Sequence, residues 1–393
     1  MATQAGTGIS QQRVAALAVA EAAAAATAGM TGRPDLVIIF ASSAYDHEIV
    51  LREAAGRFPG APVVGCSSAG EFTRAGSFSG SLALMAIQSD AVRFQTLVAK
   101  DLSRGASRSV AAALATHQDE AKAMHAAGFS HSTIMVLTDG LRGGGEQLVQ
   151  LVYGDAWISD VVGGAAGDDG RFTRTSVFIN GEIHSDAAVL IRMFSRRQLG
   201  IGVQHGMQIC TEPLPVTRAE GSVVHTIGDR PAFDYYRDFA RGRDVELTPP
   251  TAGAFMMTHE LAIYNGVSIP KIRAPLSVGA DGSLNMAAEI PEGSKVSIVD
   301  ADPVRLIRAA HDAGDEARRS LGSSAAGAVL VFDCICRRTI LDSQFSQEVD
   351  AIAGCFDAGV PLLGFATYGE IARFRGTLNG FHNSTVVVCA LPA

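Results

Sequence analysis

The chain contains the stretch Pro62-Val63-Val64-Gly65-Cys66-Ser67-Ser68-Ala69-Gly70-Glu71-Phe72-Thr73-Arg74, and a second version follows near the other end as Pro361-Leu362-Leu363-Gly364-Phe365-Ala366-Thr367-Tyr368-Gly369-Glu370-Ile371-Ala372-Arg373. Pro, Gly, Gly-Glu and Arg recur at identical spacing, although the versions begin 299 residues apart, at positions 62 and 361. Such self-similarity indicates duplicated structural units. The shared residues are therefore expected to serve architecture, and the differing ones, Cys66, Ser67 and Tyr368, are candidates for a ligand site.

The residues around each version predict the same order of elements. The apolar, β-branched run at 36–40 predicts a buried strand, and 47–58 has helical periodicity before two further strands. The same order returns over 328–391, and a weaker third unit begins at 133–137. Strand–helix–strand links favour parallel pairing, whereas hairpins add antiparallel strands. The sequence therefore predicts an α/β (α+β) fold of repeated strand–helix–strand–strand units, with mixed sheets and helices on their outer faces.

Length predicts two tandem modules, because 393 residues are too many for one ordinary core. Asp229-Arg230-Pro231 is typical of a helix start, since proline fits the first turn. The first module is predicted at 33–228, with an N-terminal helix in 1–32 that belongs to it, and the second at 229–393. A further apolar strand is expected at 254–257.

Composition and charge exclude several classes of protein. Hydrophobic residues at 47% against 18% charged describe a globular chain with a large interior, and a net charge of −8 disfavours binding to nucleic acid or an anionic membrane. The six Cys are scattered, which fits reduced thiols in the cytosol. The Ala-rich stretch at 15–28 predicts a surface helix rather than a signal peptide, and no apolar run has the length of a membrane span. We expect a cytoplasmic protein.

The glycine-rich turn at 65–71 is a candidate binding element. Its small residues let backbone N–H groups approach an anionic group, with Ser67 and Ser68 as further donors. The alternative is that Gly70 only supplies a positive φ in a tight turn. The loop at 163–170 lacks the lysine and glycine spacing of a nucleotide motif, and it is expected to line the same cavity through Gly164 and Asp168.

Each version of the repeat places a glutamate three residues before an arginine. The spacing predicts the ion pairs Glu71–Arg74 and Glu370–Arg373. Such a pair is either a surface contact of little energetic value or the polar wall of a pocket.

Cysteines offer two further hypotheses. Cys66 resembles a nucleophile, but a nucleophile elbow needs flanking glycines and a base, and the repeat replaces Cys66 by Phe365. Cys334-Ile335-Cys336 is predicted to lie in a strand with both thiols on one face, as small buried residues, because two more ligands of a metal site are missing. Arg337 at the strand end is a candidate partner for a ligand carboxylate.

The chain resembles the FIST-domain family over about residues 10 to 391. The resemblance is carried, in order, by 35–43, 64–71, 162–168, 202–206, 228–232, 332–337, 360–370 and 381–385. It implies cytoplasmic sensory modules that bind small ligands such as amino acids. Two-module bacterial members are similar to haem-binding nitric-oxide sensors that regulate a histidine kinase. In that version haem b is the cofactor, and His205 and His382, which lie in matched motifs, are the candidate iron ligands.

We therefore expect a non-enzymatic cytoplasmic sensor that binds a small ligand in a cleft at or between the modules and regulates a separate partner such as a histidine kinase. The ligand is amino acid-like or haem-bound nitric oxide. The alternatives are a haem-binding nitric-oxide sensor and an enzyme that uses Cys66 or Ser67. The expected ligand contacts are Cys66, Ser67, Ser68, Glu71, Arg74, Gly164, Asp168, Cys334, Arg337, Tyr368, Glu370, Arg373 and Asn383.

Overall fold

One order of elements, strand–helix–strand–helix–strand–hairpin–strand, occurs three times in the computed structural model, which describes residues 3–155, 157–264, 269–374 and 380–393. We call these occurrences the first unit (residues 3–89), the second unit (92–195) and the third unit (200–204 with 303–392). Residues 208–300 interrupt the third unit and are called the insertion. Within the described ranges, no helix is long and apolar enough to cross a membrane.

The first two units follow each other directly along the chain. The first unit contains β1 (Thr3–Ser10), α1 (Ala15–Thr27), β2 (Leu36–Ser42), α2 (His47–Arg57), β3 (Val63–Ser68), β4 (Glu71–Thr73), β5 (Gly76–Phe78) and β6 (Leu82–Ser89). The second unit contains β7 (Val92–Ala99), α3 (Leu102–Ala115), α4 (Gln118–Ala126), β8 (His131–Thr138), α5 (Gly145–Tyr153), β9 (Asp160–Ala165), β10 (Val177–Ile179), β11 (Glu182–His184) and β12 (Ala188–Ser195).

The third unit begins with β13 (Gly200–Gln204) and resumes after the insertion. The insertion contains β14 (Gln208–Ile209), β15 (Leu214–Glu220), β16 (Val223–Ile227), β17 (Arg230–Pro231), α6 (Ala232–Arg241), α7 (Ala252–Thr258), β18 (His259–Tyr264), β19 (Lys271–Arg273), β20 (Pro275–Val278), β21 (Leu284–Met286) and β22 (Lys295–Asp300). The third unit continues with α8 (Pro303–Ser320), β23 (Ala326–Cys334), α9 (Ile335–Leu341), α10 (Phe345–Ala353), β24 (Leu362–Thr367), β25 (Glu370–Ala372), β26 (Gly380–His382) and β27 (Val386–Pro392).

Each unit builds a mixed sheet around two parallel strands. In the first unit β2 pairs with β3 in parallel and with β6 antiparallel, and β1 pairs with β6 at the edge. The second unit repeats this pattern with β8, β9, β12 and β7, and the third with β23, β24, β27 and β13. The parallel strands are almost continuously buried, as strands covered on both faces must be.

Each sheet is completed by the hairpin of another unit. The hairpin β10–β11 of the second unit pairs with β3 of the first. The hairpin β25–β26 of the third unit pairs with β9 of the second, and β4–β5 of the first pairs with β24 of the third. The exchange is cyclic, so no unit closes its own sheet.

The turns that precede the exchanged hairpins interlock through backbone hydrogen bonds. Each bond joins two different units, with the N–H named first: Ala69 to the Ala366 oxygen at 3.1 Å, Gly167 to the Ser67 oxygen at 3.0 Å, and Tyr368 to the Ala165 oxygen at 3.1 Å. The repeated turn is therefore a joint between the three units.

The first glycine of the repeat is required by close backbone approach. A Cβ on Gly65 would lie 1.8 Å from the carbonyl oxygen of Ile39 on the neighbouring parallel strand, and one on Gly163 would lie 2.0 Å from that of Val136. Contacts of this length do not occur, so only glycine fits. Gly364, the equivalent residue of the third unit, is crowded instead by the ring of Phe72, 2.2 Å from its Cβ position.

The insertion forms a separate nine-stranded antiparallel sheet covered by α6 and α7. Ion pairs attach it to the second unit, because Lys271 and Arg273 contact the Glu146 carboxylate at 2.5 and 3.2 Å. The Arg273 guanidinium also donates to the carbonyl oxygen of Phe381 in the third unit at 2.9 Å. The insertion is thereby fixed over the junction of the second and third units.

The predicted α+β class with mixed sheets is confirmed. The weak third unit of the sequence is the complete second unit of the fold. The N-terminal helix begins only at Ala15, because residues 3–10 form the edge strand β1. The strand expected at 254–257 is wrong: this apolar run has no β-branched residue, and Ala and Met favour helix, so it lies in α7.

Candidate functional site

A cavity of about 400 Å³ lies where the second unit, the third unit and the insertion meet. Its lining combines apolar side chains with several polar groups, which is typical of sites for small organic ligands. The lining residues are Gly140, Leu141, Arg142, Gly143, Phe172, Ser222, Ala274, Leu276, Asn285, Met286, Ala287, Ala288, Glu289, Cys334, Ile335, Cys336, Tyr368 and Asn383. Three of the residues expected from the sequence, Cys334, Tyr368 and Asn383, are among them.

Tyr368 forms one wall of the cavity and is held in a fixed orientation. Its hydroxyl group donates to the Asp168 carboxylate and accepts from the Gly170 N–H at 2.9 Å. The ring stacks on Phe172, with centroids 4.4 Å apart and planes at 17°. Burial and the bond to Asp168 raise the pKa of the Tyr368 hydroxyl. The residue is therefore a neutral, oriented aromatic surface.

Asp168 supports this wall from behind. Its carboxylate accepts from the backbone N–H groups of Phe172, Thr173 and Arg174 at 2.7–2.8 Å. Burial acts to raise the pKa of Asp168, but the hydrogen bonds from Tyr368 and these N–H groups outweigh it and lower the pKa. Asp168 is thus ionised and holds the Phe172–Tyr368 pair in place, but it does not itself line the cavity.

The mouth of the cavity carries both charge signs and apolar surface. Phe172 and Leu276 are each 50% exposed there. Arg142 comes from the loop after β8, and Glu289 follows the hairpin β20–β21. The opening therefore carries a guanidinium group and a carboxylate beside apolar surface, which are groups of the kind that pair with anionic and cationic parts of organic molecules.

The floor of the cavity lies at the end of β23, where Cys334 is buried and Cys336 is half-buried. The predicted strand is wrong at this point, because the helix α9 begins at Ile335. Beneath the thiols lies Glu260, fully buried, which accepts from the Ser384 hydroxyl. Burial raises the pKa of Glu260 to about 8. Within the described residues, no cluster of three or more His, Cys, Asp or Glu is placed to hold a metal ion.

The repeated glutamates are not in ion pairs, and this prediction is wrong. Glu71 is fully buried and accepts from the hydroxyl groups of Ser68 and Ser81. Glu370 accepts from Thr367 at 2.5 Å and from the Thr385 hydroxyl at 2.8 Å. Burial raises the pKa of Glu71 to about 8 and that of Glu370 to about 7.

The arginines of the repeat lie apart from these carboxyl groups. Arg74 donates to the carbonyl oxygens of Val360 at 2.6 Å and Ala353 at 2.9 Å, where α10 ends. Arg373 is exposed and donates to the Tyr153 hydroxyl at 2.8 Å. Neither arginine lines the cavity.

Arg337 is fully buried below the cavity and does not reach it. Its guanidinium donates to the Glu348 carboxylate at 2.5 Å and to the carbonyl oxygens of Leu306 and His205 at 2.9 and 2.7 Å. It also lies 3.4 Å from Asp333. The Arg337 guanidinium was predicted to bind a ligand carboxylate, but these contacts within the protein already use it.

The other residues expected from the first repeat lie inside the protein. Cys66 is fully buried among core residues, and burial raises the pKa of its thiol, so it is neither accessible nor ionised. The Ser67 hydroxyl accepts from the Ser176 N–H at 2.9 Å. Gly164 pairs with Glu370 between two strands. The Ser68 hydroxyl donates to the buried Glu71 carboxyl group.

Each of the two candidate haem ligands has one ring nitrogen hydrogen-bonded within the protein. The Nδ1 atom of His205 accepts from the Met207 N–H at 2.9 Å, and Nε2 of His382 pairs with the Ala372 oxygen at 3.0 Å. Both rings pack edge-on against Phe374. Burial lowers the pKa of His205 to about 4 and that of His382 to about 3. Neither histidine lines the cavity, so this donor set does not fit a haem bound there.

Several lining residues were missed by the sequence reasoning. The sequence predicts a buried Cys336, whereas the helix that begins at Ile335 leaves it half-buried. Arg142, Phe172, Ser222 and Asn285 belong to no motif, and they meet only because the insertion folds over the two units. The glycine-rich loop at 140–144 was the one available signal.

Comparison with known proteins places the chain in the FIST family. The FIST N domain model matches residues 35–230, and the FIST C domain model matches residues 232–373. The chain therefore belongs to this family, whose domains are sensory, ligand-binding modules.

Similar proteins occur in bacteria and archaea. Two relatives from Mycobacterium tuberculosis, "Uncharacterized protein Rv0628c" of strain H37Rv and "Uncharacterized protein MT0656" of strain CDC 1551, are each 24% identical over 260 residues, which are 64% of this chain and 67% of theirs. "Uncharacterized protein MJ1623" of Methanocaldococcus jannaschii is 30% identical over 91 residues, which are 23% of this chain and 18% of its own.

Proposed function

We propose that this protein is a cytoplasmic, non-enzymatic sensor that binds an amino acid-like ligand in the cavity. The observation that carries the proposal is the composition of the cavity wall: the second unit, the third unit and the insertion each contribute side chains to one space of about 400 Å³. A ligand bound there contacts all three parts simultaneously. Its binding free energy therefore favours one arrangement of the insertion over the two units.

The polar groups of the cavity support a zwitterionic ligand. Arg142 offers a guanidinium for a carboxylate, and Glu289 offers a carboxylate for an ammonium group. The side chain of the ligand would rest between Met286 and the Phe172–Tyr368 pair. Output to a separate protein such as a histidine kinase is part of the same proposal.

Calorimetric titration with each standard amino acid, one at a time, tests the proposal. Ala288 lines the cavity, so Ala288→Phe fills it and is expected to abolish the binding found with the unaltered protein. Ala123→Phe is the matched control, because Ala123 is exposed on α4, and it is expected to bind normally. If no amino acid binds, or if Ala288→Phe binds unchanged, the proposal is wrong.

The enzyme alternative has no support from the geometry, because Cys66 and Ser67 are both closed to solvent. The haem alternative is not favoured either, since neither His205 nor His382 lines the cavity. Absorption spectra of protein expressed with added haem test it directly. A Soret band that disappears on His205→Ala or His382→Ala would reinstate the haem alternative.

A further inference from the structure

Cys334 and Cys336 are the reactive groups of the cavity that the sensory proposal does not use. Both line its floor, and only Ile335 separates them in the sequence. Cys334 is 2% exposed, whereas Cys336 is half-buried. A thiol pair at the wall of an accessible space differs from an isolated cysteine, because a reaction at one sulfur can be resolved by the other.

The backbone places the two cysteines at a distance that a disulfide can span. Cys334 is the last residue of β23, and Ile335 begins α9. A helical residue between two others sets their Cα atoms about 5.4 Å apart, as α-helical geometry requires. Disulfides join Cα atoms separated by roughly 4.4 to 6.8 Å. The bend at Ile335 therefore brings the pair within range.

A second observation at the same place is the Glu260 carboxyl group. It is fully buried, and within the described part of the chain its Oε2 atom has no hydrogen-bond partner. The Cys336 thiol lies close enough to interact with this carboxyl group. Above its pKa of about 8 the Glu260 carboxyl group is ionised, and a carboxylate beside a thiol can accept its proton, which is the step that makes the sulfur nucleophilic.

We propose that Cys334 and Cys336 are a redox modification site, at which a small organic disulfide entering the cavity converts the two thiols into an intramolecular disulfide. The Cys336 sulfur, after passing its proton to Glu260, attacks one sulfur of the small disulfide. That S–S bond breaks, a mixed disulfide forms on Cys336, and the leaving thiolate takes the proton from Glu260.

The Cys334 sulfur completes the exchange. It attacks the Cys336 sulfur, the mixed disulfide breaks, and the proton of Cys334 goes to the second leaving thiolate. Two protein thiols are thereby oxidised, and one small disulfide is reduced to two thiols. The product ties the end of β23 to the first turn of α9, and so changes the floor of the ligand cavity.

Cystamine, a small disulfide, tests the proposal on the native full-length protein. After exposure, free thiols are blocked with iodoacetamide, and the peptides are identified by mass spectrometry. We expect a disulfide between Cys334 and Cys336 that dithiothreitol reverses. Cys355→Ser is the control, since Cys355 is a half-buried thiol elsewhere in the fold, and this variant is expected to form the same disulfide.

Two variants separate the steps. Cys334→Ser is expected to stop at a stable mixed disulfide on Cys336, and Cys336→Ser to leave Cys334 unmodified. The proposal is overturned if the unaltered protein keeps both thiols free, or if it holds a lasting mixed disulfide on Cys336. The result with the unaltered protein decides the matter even if a variant does not fold.

Discussion

Glu71 and Glu370 keep their carboxyl groups in places closed to water, where hydroxyl groups replace the hydration shell. Ser68 and Ser81 donate to Glu71, and Thr367 and Thr385 donate to Glu370. The same arrangement, which we call the clamp, therefore occurs twice. In each clamp the glutamate accepts hydrogen bonds from a hydroxyl group three residues earlier and from a second one just before the last strand of the unit. Both copies carry Ser or Thr at the two hydroxyl positions, but no rule of sequence spacing predicts that these hydroxyl groups contact the glutamate.

The clamp at Glu71 makes stability depend on pH. The folded protein holds the proton until a pKa of about 8, whereas the unfolded chain releases it near the ordinary value of 4.5. The unfolded state therefore binds fewer protons between these values, and the free energy of unfolding falls as the pH rises through this window. We expect Glu71→Gln to reduce the fall between pH 5 and 8 by on the order of 3 kcal/mol.

Urea unfolding at pH 5 and pH 8 measures this difference. Glu220→Gln is the control, because Glu220 is exposed on β15, and it is expected to leave the pH dependence unchanged. Glu370→Gln is expected to give a smaller effect than Glu71→Gln, since the pKa of Glu370 is about 7. An unchanged pH dependence in Glu71→Gln would mean that this carboxyl group is ionised in the folded protein.

Arg337 is expected to stabilise the folded protein. Its removal would leave Glu348 and Asp333 buried without their cation, and the cost of breaking a buried pair is roughly 3–5 kcal/mol. We expect Arg337→Met to lower the free energy of unfolding by this amount, as measured in urea. Arg318→Met removes an exposed pair with Asp315 and is expected to cost less than about 1 kcal/mol. Equal effects of the two substitutions would contradict this role.

At the scale of elements, the sequence predicted those helices and strands that depend on the residues within each element. The buried strands around 36–40 and 328–332 and the helices beside them follow from apolar runs and periodicity. The pairing of β4 with β24 and of β25 with β9 could not be predicted, because three-residue strands carry no register signal. The bend at Ile335 was missed for a different reason, since the apolar pattern of β23 continues through the residue at which α9 begins.

The glycine of the repeat belongs to this scale, because it lets two parallel strands approach. We expect Gly65→Ala to destabilise the protein by about 3 kcal/mol, since its Cβ would meet the Ile39 carbonyl oxygen at 1.8 Å. Gly29→Ala is the control, because no atom lies within 4 Å of the added Cβ. Thermal unfolding of both variants measures the difference, and equal melting temperatures would show that the strands adjust freely.

At the scale of the molecule, the cavity is the feature furthest from the sequence. Tyr368 was expected there because it differs between the two versions of the repeat, and Asn383 because it lies in a matched motif. Cys334 was also among the expected ligand contacts. The remaining wall comes from segments far apart in the chain, such as Arg142 and Met286, which meet because contacts such as the ion pairs of Glu146 with Lys271 and Arg273 hold the insertion on the second unit. Because its lining comes from three separate parts of the fold, no continuous sequence motif predicts the cavity.

The cyclic exchange of hairpins also governs how the chain folds. We expect residues 1–228 and residues 229–393, expressed separately, to lack a cooperative unfolding transition. The first piece would leave β9 without β25, and the second would leave β24 without β4 and β27 without β13. Exposed strand edges of this kind favour aggregation rather than independent folding. Calorimetry of each piece alone and of the two co-expressed pieces measures this, with the intact chain as control. Co-expression is expected to restore one transition, and a cooperative transition in residues 1–228 alone would show that the exchange is not needed for stability.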